Sequence, residues 1–180
     1  MKKIFLLICL LSIGFLNAQK VDWMSMNEAL EAQKKEPKKI LVDAYTNWCG
    51  PCKMLEKNTF SNEKVANYIN ENFYAVKFNA EGNETIKYKD TIFKNNNFDP
   101  ARENSRNGVH DFARAMGVTA YPTIVFFDEE GNFIAPIKGY MSPGQIEIFL
   151  KVFASDDYKK MKSDEAWKKY QEEFKGTFSG

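Results

Sequence analysis

The sequence predicts an α/β sandwich, a mixed central sheet flanked by helices, and three observations carry that prediction. Short apolar runs alternate with stretches of helical period along most of the chain. The last two runs are joined by a tight acidic turn, as in a hairpin. A cysteine pair spaced Cys-x-x-Cys stands where the first run of the mature chain gives way to a helix. At 180 residues, 44% hydrophobic and 14% aromatic, the chain fits one ordinary domain with a full core. Lys and Arg number 25 against 24 Asp and Glu, so no strong field marks it for nucleic acid or anionic lipid.

Residues 1–18 read as a secretory signal. Lys2 and Lys3 form a basic start, residues 4–16 an apolar run too short to span a bilayer comfortably, and Ala18 a small residue at the cleavage point. Leu16 departs from the small residue usual at its position, and Cys9 lacks the small residue that a lipoprotein anchor wants before it. A retained hydrophobic anchor is the alternative to cleavage. Cleavage changes the formal net charge from +1 to −1. No later stretch is long and apolar enough to cross a membrane, so no stable insertion is expected after cleavage, and the mature protein is expected to be periplasmic or secreted.

The domain then runs over residues 19–155. Ser25-Met26-Asn27-Glu28 spells a capping box, Met26, Leu30 and Gln33 continue at near-helical spacing, and Pro37 ends the element. Lys34, Lys35, Lys38 and Lys39 are expected as a solvated helix end, where cations suit the dipole. Residues 40–45 form a buried strand, 48–57 turn into a helix, 61–71 continue as helix with Val65, Tyr68 and Ile69 inward, and 73–78 form the next strand. Across residues 80–108 the pattern dissolves around Asn95-Asn96-Asn97 and Asp99-Pro100, which marks an insertion. Residues 109–116 regain helical spacing, with His110 on the helix face.

Strands at 123–127 and 133–137 follow, joined by Asp128-Glu129-Glu130-Gly131-Asn132. That turn lacks the alternating ligands and terminal Glu of a calcium loop and is read as a plain turn. Ser142 or Pro143 opens a helix reaching Phe153. Residues 156–180 form a charged C-terminal tail with a helix from Ser163, its Ala166, Tyr170 and Phe174 four apart, read as packed on the surface or frayed.

With the signal removed, two cysteines remain, Cys49 and Cys52. A bond between them closes too small a loop for much entropic stabilisation, so the pair suits making and breaking a bond better than stapling a fold. At a helix start, free amides and the dipole stabilise a Cys49 thiolate, the only form that attacks a disulfide. Cys52, one turn on, can reach back to resolve the mixed disulfide. Gly50 allows close approach, and Pro51 is tolerated in the first helical turn because no donor is lost there. The same spacing serves half a zinc site, but zinc wants four ligands and only His110 is left to help. No metal and no organic cofactor are expected.

The run Trp48-Cys49-Gly50-Pro51-Cys52-Lys53 resembles the thioredoxin active-site motif at every position, and the likeness extends over most of residues 40–153. The resemblance implies a thioredoxin fold with an insertion before the cis-proline segment and a C-terminal helical extension. It casts Cys49 as nucleophile, Cys52 as resolving thiol, Asp43 as the buried acid that handles the resolving thiol's proton, and Lys77 as its neighbour. It makes Tyr121-Pro122-Thr123 the cis-proline loop and Gly139 the glycine that lets substrate approach. Trp48, Gly50, Pro51, Tyr121, Pro122 and Gly139 would shape the docking surface. The stretch from Lys53 to Asn62 is more similar to the thioredoxin-like domains of exported proteins and of transmembrane disulfide reductases. Tyr121, where cytosolic thioredoxins carry isoleucine, departs from the pattern at the substrate-contact surface.

The implied activity is protein-disulfide reduction, with disulfide-bearing proteins as substrates and a thiol electron donor such as a membrane reductase. The alternatives are an oxidase or isomerase of the same fold, or a redox-sensitive client-binding module. The insertion, with Tyr88, Phe93 and Phe98 as anchors and Arg102 and Arg106 able to meet acidic clients, is expected to form a flap narrowing access to Cys49; the alternative is a solvated insertion with no role.

Overall fold

A computed structural model describes residues 20–178; the expected signal at 1–18 lies outside them. Five strands form one sheet in the order β1 (Trp23–Met24), β3 (Phe73–Asn79), β2 (Lys39–Tyr45), β6 (Thr123–Phe127), β7 (Phe133–Lys138). The first three run parallel, and β6 and β7 run antiparallel to their neighbours, so the sheet is mixed as expected. The two-residue β1 carried no signal of its own in the sequence.

The sheet separates two cores, and strand alternation decides which residues face each. From β2, Leu41 packs with Leu55, Phe60, Val65, Ile69, Ile124, Phe126, Ile146 and Leu150. Ile40, Val42 and Ala44 point the other way, to Met26, Ala29, Val76, Phe78, Phe112, Val125 and Phe127. Helices α2 (Gly50–Leu55), α3 (Glu63–Asn72) and α5 (Pro143–Ala154) cover the first face; α1 (Met26–Lys35) and α4 (Asp111–Ala115) cover the second. A π-helical turn, Glu56–Phe60, extends α2.

The capping box at α1 forms: Ser25 N donates to Glu28 Oε2 at 2.8 Å and Glu28 N to Ser25 Oγ at 3.3 Å, a device worth about 1 kcal/mol. The lysine run departs from expectation. Lys39 is 4% exposed, belongs to β2, and pairs with Glu129 in the hairpin turn and with Asp156 at 2.9 Å. Lys34 and Lys35 are exposed and Lys38 is half-buried, so the run gives no local sign that the last lysine enters the sheet. His110 is also misplaced by its sequence. It is fully buried and caps α4, accepting from Phe112 N at Nδ1 (3.0 Å), while Nε2 donates to the Glu84 carbonyl at 2.7 Å.

The insertion is ordered despite its lack of period. Strands β4 (Ile86–Tyr88) and β5 (Thr91–Phe93) form a hairpin that lays Ile86, Tyr88 and Phe93 on the second core, against Phe112 and Phe127. Its neck is closed by His110 N to the Ala80 carbonyl at 2.8 Å and by Asn95 Nδ2, which reaches the carbonyls of Gly82 and Gly108. A Cβ at Gly108 would sit 2.5 Å from the Asn97 carbonyl oxygen, so the neck requires glycine there.

The C-terminal segment packs on the first face rather than fraying. Trp167 of α6 (Asp164–Glu173) stacks on Phe149 at 5.6 Å, and Phe178 meets Tyr68 at 5.8 Å. The latch is Glu147 on α5, whose side chain is wholly buried. Its carboxylate accepts from Thr177 N, Phe178 N, Thr177 Oγ1 and Lys151 Nζ. Burial opposes the ionised form, but Lys151 and the Phe178 and Thr177 donors outweigh it and hold the carboxyl below its ordinary range. A depressed carboxylate pKa gives stability that is full above the unfolded value, about 4.3, and is lost as pH falls through the lower folded one. Urea titration at pH 7 is expected to show Glu147→Gln less stable by about 1–3 kcal/mol. That difference should shrink on acidification below pH 4; a gap that persists in acid would mean the ionised carboxylate is not the latch.

Candidate active site

Strand β2 ends at Tyr45 and the chain turns through Thr46-Asn47-Trp48 into α2. Cys49 is the N-cap of that helix: its amide donates to the Thr46 carbonyl at 3.1 Å, and its Sγ accepts from Cys52 N at 3.1 Å. A backbone amide already aimed at Sγ is the arrangement that favours a thiolate there. Cys49 and Cys52 are joined by a disulfide, with Cα atoms 5.3 Å apart, and both are nearly buried at 2% and 4% exposure. Pro51 occupies the first helical turn, as expected. At Gly50 an added Cβ would meet nothing within 4 Å, so the chain's own packing does not demand glycine; the open space lies toward solvent.

Alternation along β2 sends Asp43 to the same face as Leu41, beneath α2. Asp43 is 1% exposed, and Lys77 is its register partner on β3. Lys77 Nζ donates to Asp43 Oδ2 at 2.7 Å and also to Glu56 Oε2. The rings of Trp23, Tyr45 and Phe60 surround that ammonium at 4.9, 5.1 and 5.7 Å. Among the described residues, Asp43 Oδ1 has no hydrogen-bond partner, and neither has the buried Thr46 Oγ1. Burial pushes the Asp43 carboxyl above its ordinary range, with Lys77 opposing. Burial also works against the Lys77 ammonium, but Asp43 and Glu56 outweigh it and hold its pKa above the usual lysine range. Cys52, Lys77, Glu56 and Asn104 line one pocket of about 530 Å³, so the lysine links the buried acid to the space beside the second cysteine.

Cys49 opens instead onto a groove of about 830 Å³, shared with Trp48, Pro51, Glu81, Arg106 and Tyr121. The Tyr121-Pro122 peptide is cis. Pro122 is buried and its carbonyl accepts from Gly139 N at 2.8 Å, which brings the two expected loop residues together, and neither is in the wall of this groove. Gly139 has φ +96°, a left-handed conformation that suits glycine.

The residue that sequence reasoning missed is Glu81. It is 7% exposed and accepts from Trp48 Nε1 at 2.7 Å and from Asn107 N at 2.8 Å, with the Tyr121 phenol near enough to feel its charge. Burial first, and then the Glu81 charge, push that phenol up to about 12. Trp48 and Tyr121 meet edge to face at 5.9 Å. Glu81 follows a strand end beside a glycine, where a carboxylate reads as solvated; only the folded neck buries it. The insertion's second half flanks both cysteines. Asn47 Nδ2 reaches the Glu103 carbonyl at 3.0 Å, Asn104 lines the Cys52 pocket, and the Arg106 guanidinium lies 4.9 Å over the Trp48 ring. Arg102, the other expected client contact, lies in a short exposed turn and lines neither space.

The family model of the thioredoxin-like domain matches residues 26–154. Thiol:disulfide interchange protein DsbD of Pectobacterium atrosepticum is 28% identical over 131 residues, which cover 72% of this chain and 18% of that protein. The protein of the same name from Citrobacter koseri is 30% identical over 129 residues, covering 71% and 18%. The chain thus spans about a fifth of the length of the curated relatives it matches. Among solved structures, a thioredoxin-fold protein from Helicobacter pylori superposes with a TM-score of 0.59 at 24% identity, over 83% of this chain and 84% of that one. A thioredoxin from Thermus thermophilus gives 0.54 at 16% identity, over 78% and 90%. At these identities the superpositions speak for the fold.

The raised Asp43 pKa has a stability consequence with a definite sign. Between the unfolded and folded values the folded state binds the extra proton, so stability is full below the unfolded aspartate pKa and falls as pH rises through the folded one. Asp43→Asn is therefore expected to be more stable than the parent at pH 8 and about equal near pH 3, by urea unfolding. A variant less stable at pH 8 would show that the Lys77 pair outweighs the cost of burial.

Proposed function

The chain belongs to the thioredoxin-like domain family, and from that premise we propose that it is an exported protein-disulfide reductase working through Cys49 and Cys52. The observation that carries this reading is Cys49 at the helix cap, a residue that lines the groove and whose sulfur accepts the Cys52 amide, backed by the buried Asp43–Lys77 pair. In the reduced state the Cys49 thiolate attacks one sulfur of a client disulfide. A mixed disulfide forms and the other client sulfur leaves as a thiolate. The Cys52 thiolate then attacks Cys49 Sγ, which releases the second client thiolate and leaves the enzyme disulfide. Two electrons pass from the dithiol to the client, and the proton of Cys52 is taken up on the way.

Asp43 is the acceptor for that proton. Its carboxyl is held above the ordinary range by burial, and a base is most useful when its pKa lies near the working pH. Lys77, with Asp43 on one side and the Cys52 pocket on the other, carries the coupling between them. Trp48, Gly50, Pro51 and Tyr121 receive the client, with Pro122 and Gly139 fixing the loop beneath. Likeness to part of the disulfide interchange proteins supports a periplasmic setting and a membrane thiol donor that restores the dithiol.

Cysteine trapping tests the division of labour. Cys52→Ser is expected to accumulate mixed disulfides with client proteins through Cys49, seen on non-reducing gels and identified by mass. Cys49→Ser should give few; efficient trapping by that variant would defeat the assignment. Equilibration against thiol buffers tests the direction. A reductase should have a potential near the thioredoxin value of about −270 mV, and one near about −120 mV would make the protein an oxidant.

A further inference from the structure

The spaces beside the two cysteines carry a charge pattern that disulfide exchange itself does not need. Each has one carboxylate in its wall, and both are engaged: Glu56 with Lys77, and Glu81 with Trp48 and Asn107. The cations are not engaged in the same way. Arg106 is exposed and, among the described residues, forms no ion pair. Arg114, also exposed, reaches Asp111 only at 3.9 Å, an exposed contact of little energetic weight. Lys53 and Lys57 stand exposed beside Cys52, likewise without an ion pair among the described residues. A chain of formal net charge +1 thus presents a locally positive face around its reactive pair.

Arg106 is also held in place. Its guanidinium lies over the Trp48 ring, and the next residue, Asn107, is fixed by its amide to Glu81. Stacking on an indole leaves the planar fork of an arginine free to bond a carboxylate, with less freedom to lose than a solvated side chain has. Resting on the disulfide-exchange reading above, we infer that this face receives client segments with acidic side chains beside the target cysteine, gripped by Arg106 and Arg114. Glu81 is the positioning residue that holds the 103–107 strap over the groove. Complementary charge of this kind raises the encounter rate and is weakened by salt.

Three peptide disulfides of one core sequence, with Asp, Asn or Lys flanking the cysteine, test this in the full chain. Their kcat/KM values, each normalised to the peptide's reduction rate by dithiothreitol, should fall in the order Asp, Asn, Lys at low salt. Each step should be about twofold to fivefold, and the order should collapse near 1 M salt, where the screening length is about 3 Å. Arg106→Glu should invert the order and Arg106→Gln weaken it. Arg102→Glu, the same charge change away from both spaces, should leave it intact. Glu81→Gln should flatten the preference and lower the Tyr121 phenol from about 12 toward about 10, read by tyrosine-labelled NMR. Equal normalised rates at low salt, or an unchanged order in Arg106→Glu, overturn the inference while leaving disulfide reduction standing. No turnover of any peptide or of a small disulfide would instead overturn the reductase reading on which it rests.

Discussion

The Lys77 ammonium is the contact on which the site's arrangement depends. It stands in register with Asp43 across two parallel strands, bonds Glu56 on the helix extension above, and is walled by three aromatic rings. A carboxylate in the middle of an otherwise apolar face would be costly to bury alone. With Lys77 beside it, Asp43 keeps a partner on one oxygen while the other remains free under the cysteine helix. The strand pairing, the helix extension at Glu56 and the pocket at Cys52 therefore share one electrostatic anchor.

Much of this was legible in the sequence because it rests on short-range rules. The capping box at Ser25, the apolar run of β2, the hairpin around Asp128 and the cysteine spacing each carry a local pattern, and each formed as expected. The elements that escaped are those whose environment comes from distant chain. Lys39 sits in a run of lysines and differs from them only because Glu129 and Asp156 arrive from far along the sequence. His110 is buried by Glu84 and Phe78, not by its own helix. Glu81 has no periodic neighbours, and donors from two separate segments, Trp48 and Asn107, give it its place.

The insertion divides into two halves with different work. Its hairpin supplies core to the second face through Ile86, Tyr88 and Phe93, so it cannot be regarded as a solvated appendage. Its return leg, from Asn95 to Gly108, carries little apolar burial and instead delivers Asn104, Arg106 and Asn107 to the edges of the cysteine pair. The first half anchors the segment through apolar burial, and the second is held by polar contacts at Asn95, Asn107 and Gly108.

The neck of that insertion also bears on how the chain could have acquired it. The Ala80 carbonyl and the His110 amide meet directly, so the segment leaves and re-enters the domain at almost one point. The entropy of closing such a loop grows only with the logarithm of its length, about 0.6 kcal/mol per doubling. Lengthening the return leg between Asn95 and Gly108 would therefore tax the parent sheet very little, whereas removing the hairpin would uncover Phe112 and Phe127. The junction is a natural splice point, where two bonded ends stay together whatever length of chain runs between them.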